Sequence, residues 1–202
     1  MSVDTYANLK TEINNHLDRS LSDADLDTLI DLAEARHKRD IRIRDMIVRL
    51  ESSVSSRFIS LPSDFLELQS FRLLTNPVTI LEEVSRFEMS RIREEANDKP
   101  TRFAIHGDEI EFNVNPDDTY TSEMVYTKFL TALSDANTTN ELLDRAPDTY
   151  LYGALLAAEP FLGNDPRIKI WADLYRSAVN TLNGVDRKRS GPLFARVVGD
   201  VP

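Results

Sequence analysis

The sequence predicts an α+β protein: helices from the N- and C-terminal segments form one bundle, an antiparallel β region is inserted between them, and an extended C-terminal tail follows. Three observations predict it. Apolar residues recur every three or four positions up to about Arg44, shift towards a period of two from Met46 to about Leu130, and return to helical spacing after Asn137. The stretch RFAIHGDEIEFNV, residues 102–114, has the turn chemistry and alternation of a two-residue hairpin. The stretch PDTYLYGALLAAEPFLGNDPRIKIW, residues 147–171, is an apolar run cut by Gly163-Asn164-Asp165-Pro166. The divisions are 1–44 and 133–184 for the helical body, 45–132 for the β insertion and 185–202 for the tail.

Asp4 is the expected N-cap of a first helix whose apolar stripe is Tyr6, Leu9, Ile13 and Leu17. Ser22 with Asp25 opens a second, with Asp23 near the positive end of its dipole. Leu26, Leu29, Ile30, Ala33, His37 and Ile41 form its buried stripe, which holds to about Arg44. In the β region, Ile47–Val54 and Arg57–Leu61 read as a hairpin, and Pro62-Ser63-Asp64 as a turn. Residues Leu66–Leu74 read as a strand ended by Asn76-Pro77. Ser85 and Glu88 form a capping box for a short helix through about Glu95. With Gly107-Asp108 as the loop, Ile105 faces Ile110 and Phe103 faces Phe112, so register and turn agree. Residues 121–130 add a strand.

Thr138 and Glu141 make a second capping box, before Leu142 and Leu143. Pro147 suits the first turn of the next helix, which is apolar nearly all round and therefore central. Pro160 crowds the carbonyl of Leu156 and predicts a kink or an early end. Gly163 supplies a left-handed cap, and Pro166 starts a helix that buries Ile168, Trp171, Tyr175, Ala178 and Leu182. The tail has glycines, prolines and no sustained period, and it leaves Leu193 and Phe194 exposed unless another molecule covers them.

Composition narrows the function classes. The 202 residues include no cysteine, which removes disulfides, thiolate metal sites and a cysteine nucleophile. Neither a secretory leader nor an apolar run of membrane-spanning length is expected. Formal charge is −10, and an acidic body does not seek nucleic acid. The charge is uneven: residues 185–202 carry Arg187, Lys188, Arg189 and Arg196 against Asp186 and Asp200, a net +2, which leaves −12 for the remainder.

Asp23, Asp25, Asp27, Asp31 and Glu34 fall at the ligand positions of a calcium loop, but Thr28 stands where the loop needs glycine. Helical period also continues through the segment, so an acid-rich helix start with a solvated face is the preferred reading. The basic run Arg36, Lys38, Arg39, Arg42 and Arg44 reads as a solvated helix face, with Arg36, Asp40 and Arg44 spaced as an ion-pair ladder. His16, His37 and His106 share no metal-ligand spacing, and His106 reads as a turn residue. No phosphate-binding glycine loop, nucleophile elbow or cofactor motif is present, so neither an enzyme nor a cofactor is expected.

The order of several weak motifs carries a resemblance. Thr139-Asn140 with Leu142-Leu143, Pro147-Asp148 with Tyr150–Leu155, Asp165-Pro166, and Trp171 resemble the C-terminal half of the adaptor, or head-completion, proteins of short-tailed phages. Upstream, LPSDFLEL at 61–68, KPTRFAIHGDEIEF at 99–112 and the helix end AEARHKRDIR are similar to segments of that family. The likeness runs from about Tyr6 to Asn183. It implies a structural virion protein at the junction of neck and tail, made in the host cytoplasm and assembled as a ring of about twelve copies that matches the portal. The helical body would dock on the portal protein and the β-rich part would meet the next tail or nozzle protein. DNA would pass through an acidic channel without specific binding, and no membrane is involved. The tail arm is the expected portal-binding segment, comprising Arg187, Lys188, Arg189, Leu193, Phe194 and Arg196, with Leu193 and Phe194 as anchors. The free chain is expected to stay monomeric and to assemble only on the portal. A regulatory protein-binding module without a ring is the alternative.

Overall fold

The computed structural model of the chain describes residues 3–163 and 165–189. It is α+β and divides into two units: residues up to Arg44 together with those from Leu130 onward, and Asp45–Phe129.

The first unit is helical. In α1 (Tyr6–Leu17) the four expected stripe residues are all buried. Its cap is Thr5 rather than Asp4: the Thr5 hydroxyl accepts from the Asn8 amide at 3.3 Å, while Asp4 takes the Asn8 side chain at 2.6 Å. Helix α2 (Asp23–Asp40) starts on Ser22, as expected, and buries the whole predicted stripe through His37, with Ile41 just beyond its end. Two readings of this helix change. It ends at Asp40, where Arg42 donates to the carbonyls of Lys38 and Ile41, so Arg44 is not on it and the helical spacing of Arg36, Asp40 and Arg44 stops at Asp40. Glu34 is not on a solvated face; it is buried. The supposed calcium loop is continuous helix.

Helix α4 (Glu141–Arg145) is capped by Asn140, whose side-chain oxygen accepts from Leu143 N at 2.9 Å. The expected cap, Thr138, instead gives its carbonyl to Tyr6 N at 2.8 Å. Helix α5 (Pro147–Ala157) begins on its proline and is buried on nearly every side against α1, α2 and α7. Full burial of one leucine such as Leu155 contributes roughly 2 kcal/mol, and α5 adds Tyr150, Leu151, Ala154 and Ala157 to the same core. Pro160 follows the end of α5 and sits in the single turn α6 (Glu159–Leu162), which Gly163 closes at φ 58°. Helix α7 (Arg167–Arg189) then returns along α5. It buries Trp171, Tyr175, Val179 and Leu182; Val179 takes the place expected for Ala178, and Ile168 is only half-buried.

The second unit holds two four-stranded sheets. One has the order β1 (Ile47–Val54), β8 (Tyr120–Lys128), β3 (Phe65–Leu73), β4 (Thr79–Ile80). The other has the order β2 (Phe58–Ser60), β7 (Glu109–Phe112), β6 (Arg102–His106), β5 (Glu82–Glu83). All pairs are antiparallel except β5 with β6. Phe71, Phe103, Phe112, Ile110, Met124 and Tyr126 form the shared core. The β6–β7 hairpin has the predicted register, Phe103 opposite Phe112 and Ile105 opposite Ile110, with Gly107 at φ 64°.

The expected β1–β2 hairpin does not exist. β1 pairs along its whole length with β8, from Ile47 opposite Thr127 to Val54 opposite Tyr120, while β2 pairs with β7. The connecting segment is held elsewhere: buried Arg57 donates to Glu95 at 2.9 Å and to the Glu94 carbonyl. The same contact explains why α3 (Arg86–Ile92) stops short of Glu95. The amide of Glu94 leaves the helix for the Asn113 carbonyl at 2.9 Å. The Ser85 cap of α3 is as expected.

Candidate functional site

Three of the predicted contact residues, Arg187, Lys188 and Arg189, fall within the C-terminal helix. Its start is fixed by Asp165, which accepts from the Arg167 amide at 2.8 Å and from its guanidinium at 2.7 Å. This pairing holds the Asp165 carboxyl below the usual range. Arg167 also donates to the His16 carbonyl at 3.0 Å and lies 5.2 Å from the Trp171 ring, so one side chain ties the α7 start to α1.

Further along, the Tyr175 hydroxyl donates to Asp40 at 3.2 Å. Asn183 then closes the end of α2 from both sides. Its amide nitrogen donates to the Asp40 carbonyl at 2.8 Å, and its oxygen accepts from Arg42 N at 3.0 Å. Gly184 follows with open space where a side chain would stand. A glycine inside a helix weakens it by roughly 1 kcal/mol against alanine. Asn183 thus holds α7 to the body just before an intrinsically weak point.

The helix nevertheless continues to Arg189. Arg187, Lys188 and Arg189 therefore lie on its last turn, not in an extended arm beginning at 185. The physical reason is local: residues 185–189 contain no breaker, and Gly191-Pro192 comes later. A basic last turn complements the negative end of the helix dipole. Leu193, Phe194 and Arg196 lie outside the described residues.

A groove of about 400 Å³ opens in the same unit. Its apolar lining is Ala146, just before α5, and Tyr152 on α5, with Leu174, Ala178 and Leu182 from α7. Arg145 and Asp148 stand among the residues that border it. Leu174 is 40% exposed there, and Ile170, one turn earlier, is 59% exposed. Only the fold brings 145–152 against 174–182, so no sequence signal marks the groove.

Beneath these surfaces lies a buried polar knot. Glu34 accepts from Leu133 N at 2.8 Å and from the Tyr150 hydroxyl at 3.2 Å. Asn140 donates to Tyr150 at 2.6 Å and to the Thr131 carbonyl at 2.8 Å. Burial raises the Glu34 carboxyl above its ordinary range and the Tyr150 hydroxyl as well. Next to it His37 is edge-on to Tyr150 and stacked on Tyr175. Its Nε2 lies 3.4 Å from the Thr149 carbonyl, which only accepts, so Nε2 carries the proton of the neutral ring. These groups brace the helical unit and face no cleft among the described residues.

The β unit offers a different face. Val78, Ile80 and Phe87 are more than half exposed. His106 ends β6 with Nε2 3.1 Å from Glu111. Among the described residues no group of three His, Asp or Glu side chains is placed to hold a metal ion, and no helix is long and apolar enough to cross a membrane. The helical unit is braced from within, and each unit exposes large apolar side chains.

Comparison with known families agrees with that character. The model of the SU10 adaptor protein family matches residues 4–196, so the match includes all six predicted tail residues. No curated protein matches the chain. The chain belongs to the SU10 adaptor protein family: it is a structural adaptor of the bacteriophage virion, of the head-to-tail kind.

Proposed function

From membership of the SU10 adaptor family we propose that this chain docks on the portal ring and extends the DNA channel. It would assemble there as about twelve copies and form the platform for the next tail component. An adaptor family implies contacts with portal and tail components. The observation that carries the finer reading is the polarity of the chain. Net charge is −10, while Arg187, Lys188 and Arg189 follow one another on the last turn of α7, beyond its anchor at Asn183.

Physical reasons support each step. An acidic channel wall repels DNA and lets it slide. Repeated equivalent contacts turn a modest single affinity into firm attachment. Like charge keeps free copies apart until the portal gathers them. In this reading Arg187, Lys188, Arg189 and Arg196 pair with acidic portal groups, and Leu193 and Phe194 fill apolar portal pockets. The exposed Val78, Ile80 and Phe87 of the β unit suit the tail-side partner.

The test is to mix the purified chain with purified portal and examine the particles by electron microscopy. The expected result is a second ring beneath the portal. Deleting residues 190–202 should abolish it, and undiminished binding by the shortened chain would refute the role of the tail. Binding as a single copy, without a ring, would favour a regulatory binding module.

A further inference from the structure

We propose that α2 of one copy lies antiparallel along α7 of the next, with Leu32 seated in the groove between α7 and the start of α5. This rests on the ring assembly proposed above and names the surfaces that make it.

Both helices carry an unused seam. On α7, Ile170, Leu174, Ser177 and Thr181 are exposed and recur at spacings of four, three and four. On α2, Thr28, Leu32 and Arg39 are exposed and Ala35 is half-buried, again at spacings of four, three and four. That spacing keeps one face of a helix towards a partner helix. Leu32 is 48% exposed, an apolar knob without a socket in its own chain. The groove of about 400 Å³ beside Leu174, Ala178 and Leu182 is an apolar socket, and the small Ser177 and Thr181 at its edge allow a second helix to come close.

The chain cannot make this contact with itself. Helix α5 lies between α2 and α7: a Cβ on Gly153 would stand 3.2 Å from Ala33 Cβ and His37 Nε2 of α2 and 3.4 Å from the Tyr175 ring of α7. Tyr175, which donates to Asp40, marks the side of α7 that faces its own α2. At 3.6 residues per turn, Leu174 is turned about 100° from Tyr175 and Ser177 about 160°, both in the same sense. Two unlike patches that fit each other, on separate sides of one chain, make a head-to-tail contact, the kind that closes into a ring.

Charge sets the direction. Arg145 borders the groove with Leu182, and Asp173 lies roughly 14 Å before Leu182 along α7. On α2, Asp25 precedes Arg36 by roughly 16 Å. Laid antiparallel, Asp25 of one copy meets Arg145 of the next, and Arg36 meets Asp173. Leu32, roughly 10 Å from Asp25, then falls between Leu174 and Ala178. A parallel fit brings Arg36 towards Arg145 and Asp25 towards Asp173. Asp173 already pairs with Arg176 at 2.9 Å, but that pair is exposed and exchanges at little cost.

The test uses the full chain on purified portal, with particles examined by electron microscopy. Leu32→Asp alters an exposed side chain, so the free variant should melt as the parent does. It sets a carboxylate in an apolar groove, so the yield of closed rings should fall about tenfold or more while single copies still reach the portal. Asp173→Arg should lower the yield as well, and adding Arg36→Asp with Arg39→Asp should restore it; no restoration would overturn the proposal. Because the chain has no cysteine, Leu32→Cys with Ser177→Cys gives a positive readout. A disulfide requires the two Cα atoms to come within about 7 Å. Oxidised on the portal, this pair should yield a ladder of linked copies, whereas Thr11→Cys with Ser177→Cys, from an exposed position on α1, should not. Closed rings without a ladder, or closed rings from Leu32→Asp at the parental yield, would overturn the proposal and leave the ring standing. Single copies from the parent chain itself would overturn both. Retardation of a short DNA duplex that Arg36→Asp with Arg39→Asp abolishes would overturn it in favour of phosphate as the partner of α2.

Discussion

Glu34, on α2, accepts a hydrogen bond from the backbone amide of Leu133 at 2.8 Å, across ninety-nine residues of sequence. The segment that carries the chain back from the β unit is thereby fastened to a helix formed near the start. Glu34→Ala leaves the Leu133 amide buried and unpaired and removes a partner of Tyr150, which should cost about 2–3 kcal/mol. Glu34→Gln keeps one acceptor oxygen and should cost less than half as much. Urea denaturation of the three proteins at neutral pH checks the order.

His37 should make stability depend on pH. Burial, the largest influence, holds it down to about 4, from an ordinary value near 6.5; the Thr149 carbonyl and Asp40 oppose the shift and Arg36 adds to it. Between these values the unfolded chain binds a proton that the folded chain refuses. The neutral ring's contribution is complete above pH 6.5 and falls away towards pH 4, a loss of about 3 kcal/mol. Glu34, with its raised carboxyl, works in the opposite direction at the acid end. In His37→Leu, with Glu34 kept, the fall between pH 6.5 and 5 should flatten; an unchanged slope in denaturation curves would assign it to other groups.

Gly153 should not accept a side chain. A Cβ there would stand 3.2 Å from Ala33 Cβ, 3.2 Å from His37 Nε2 and 3.4 Å from the Tyr175 ring. Alanine would improve helix propensity by up to about 1 kcal/mol. The crowding lies between packed helices and falls on a ring already wedged against two others, so overpacking of about 1–3 kcal/mol wins. Gly153→Ala should lower the melting temperature, and Gly153→Val should lower it further.

The two partners of Glu123 should matter more than Glu123 itself. Its carboxylate is 2% exposed and pairs with Arg72 at 2.5 Å and with Arg49, across three neighbouring strands. Removing both arginines strands a buried charge, at a cost of about 3–5 kcal/mol. Glu123→Ala releases two guanidiniums that already reach solvent and should cost about 1 kcal/mol. The double variant Arg49→Ala with Arg72→Ala, compared with Glu123→Ala by urea denaturation, should show that order.

Features with local causes were legible in the sequence. The stripe Tyr6, Leu9, Ile13 and Leu17 and the register of Phe103 with Phe112 each follow from a short window with one dominant period or turn. Pairing between distant segments was not legible: nothing in Ile47–Val54 names Tyr120–Thr127 as its partner, so the reading joined neighbours instead. Glu34 resembled a solvated acid because its amide partner arrives from a loop far along the chain. Of the expected contact segment, only Arg187, Lys188 and Arg189 fall within the described residues. Charge marked Arg187 to Arg189, and the lack of a breaker before Gly191-Pro192 lets α7 run through them, whereas the Asn183 bond to the end of α2 has no signal in the sequence.

The inserted unit begins and ends on adjacent strands. Ile47 and Thr127 are paired across the β1–β8 ladder, which sets their Cα atoms roughly 5 Å apart. A whole sheet pair thus hangs from a doorway no wider than a tight turn. Such a cassette can be exchanged, enlarged or lost with little demand on the helices that hold it.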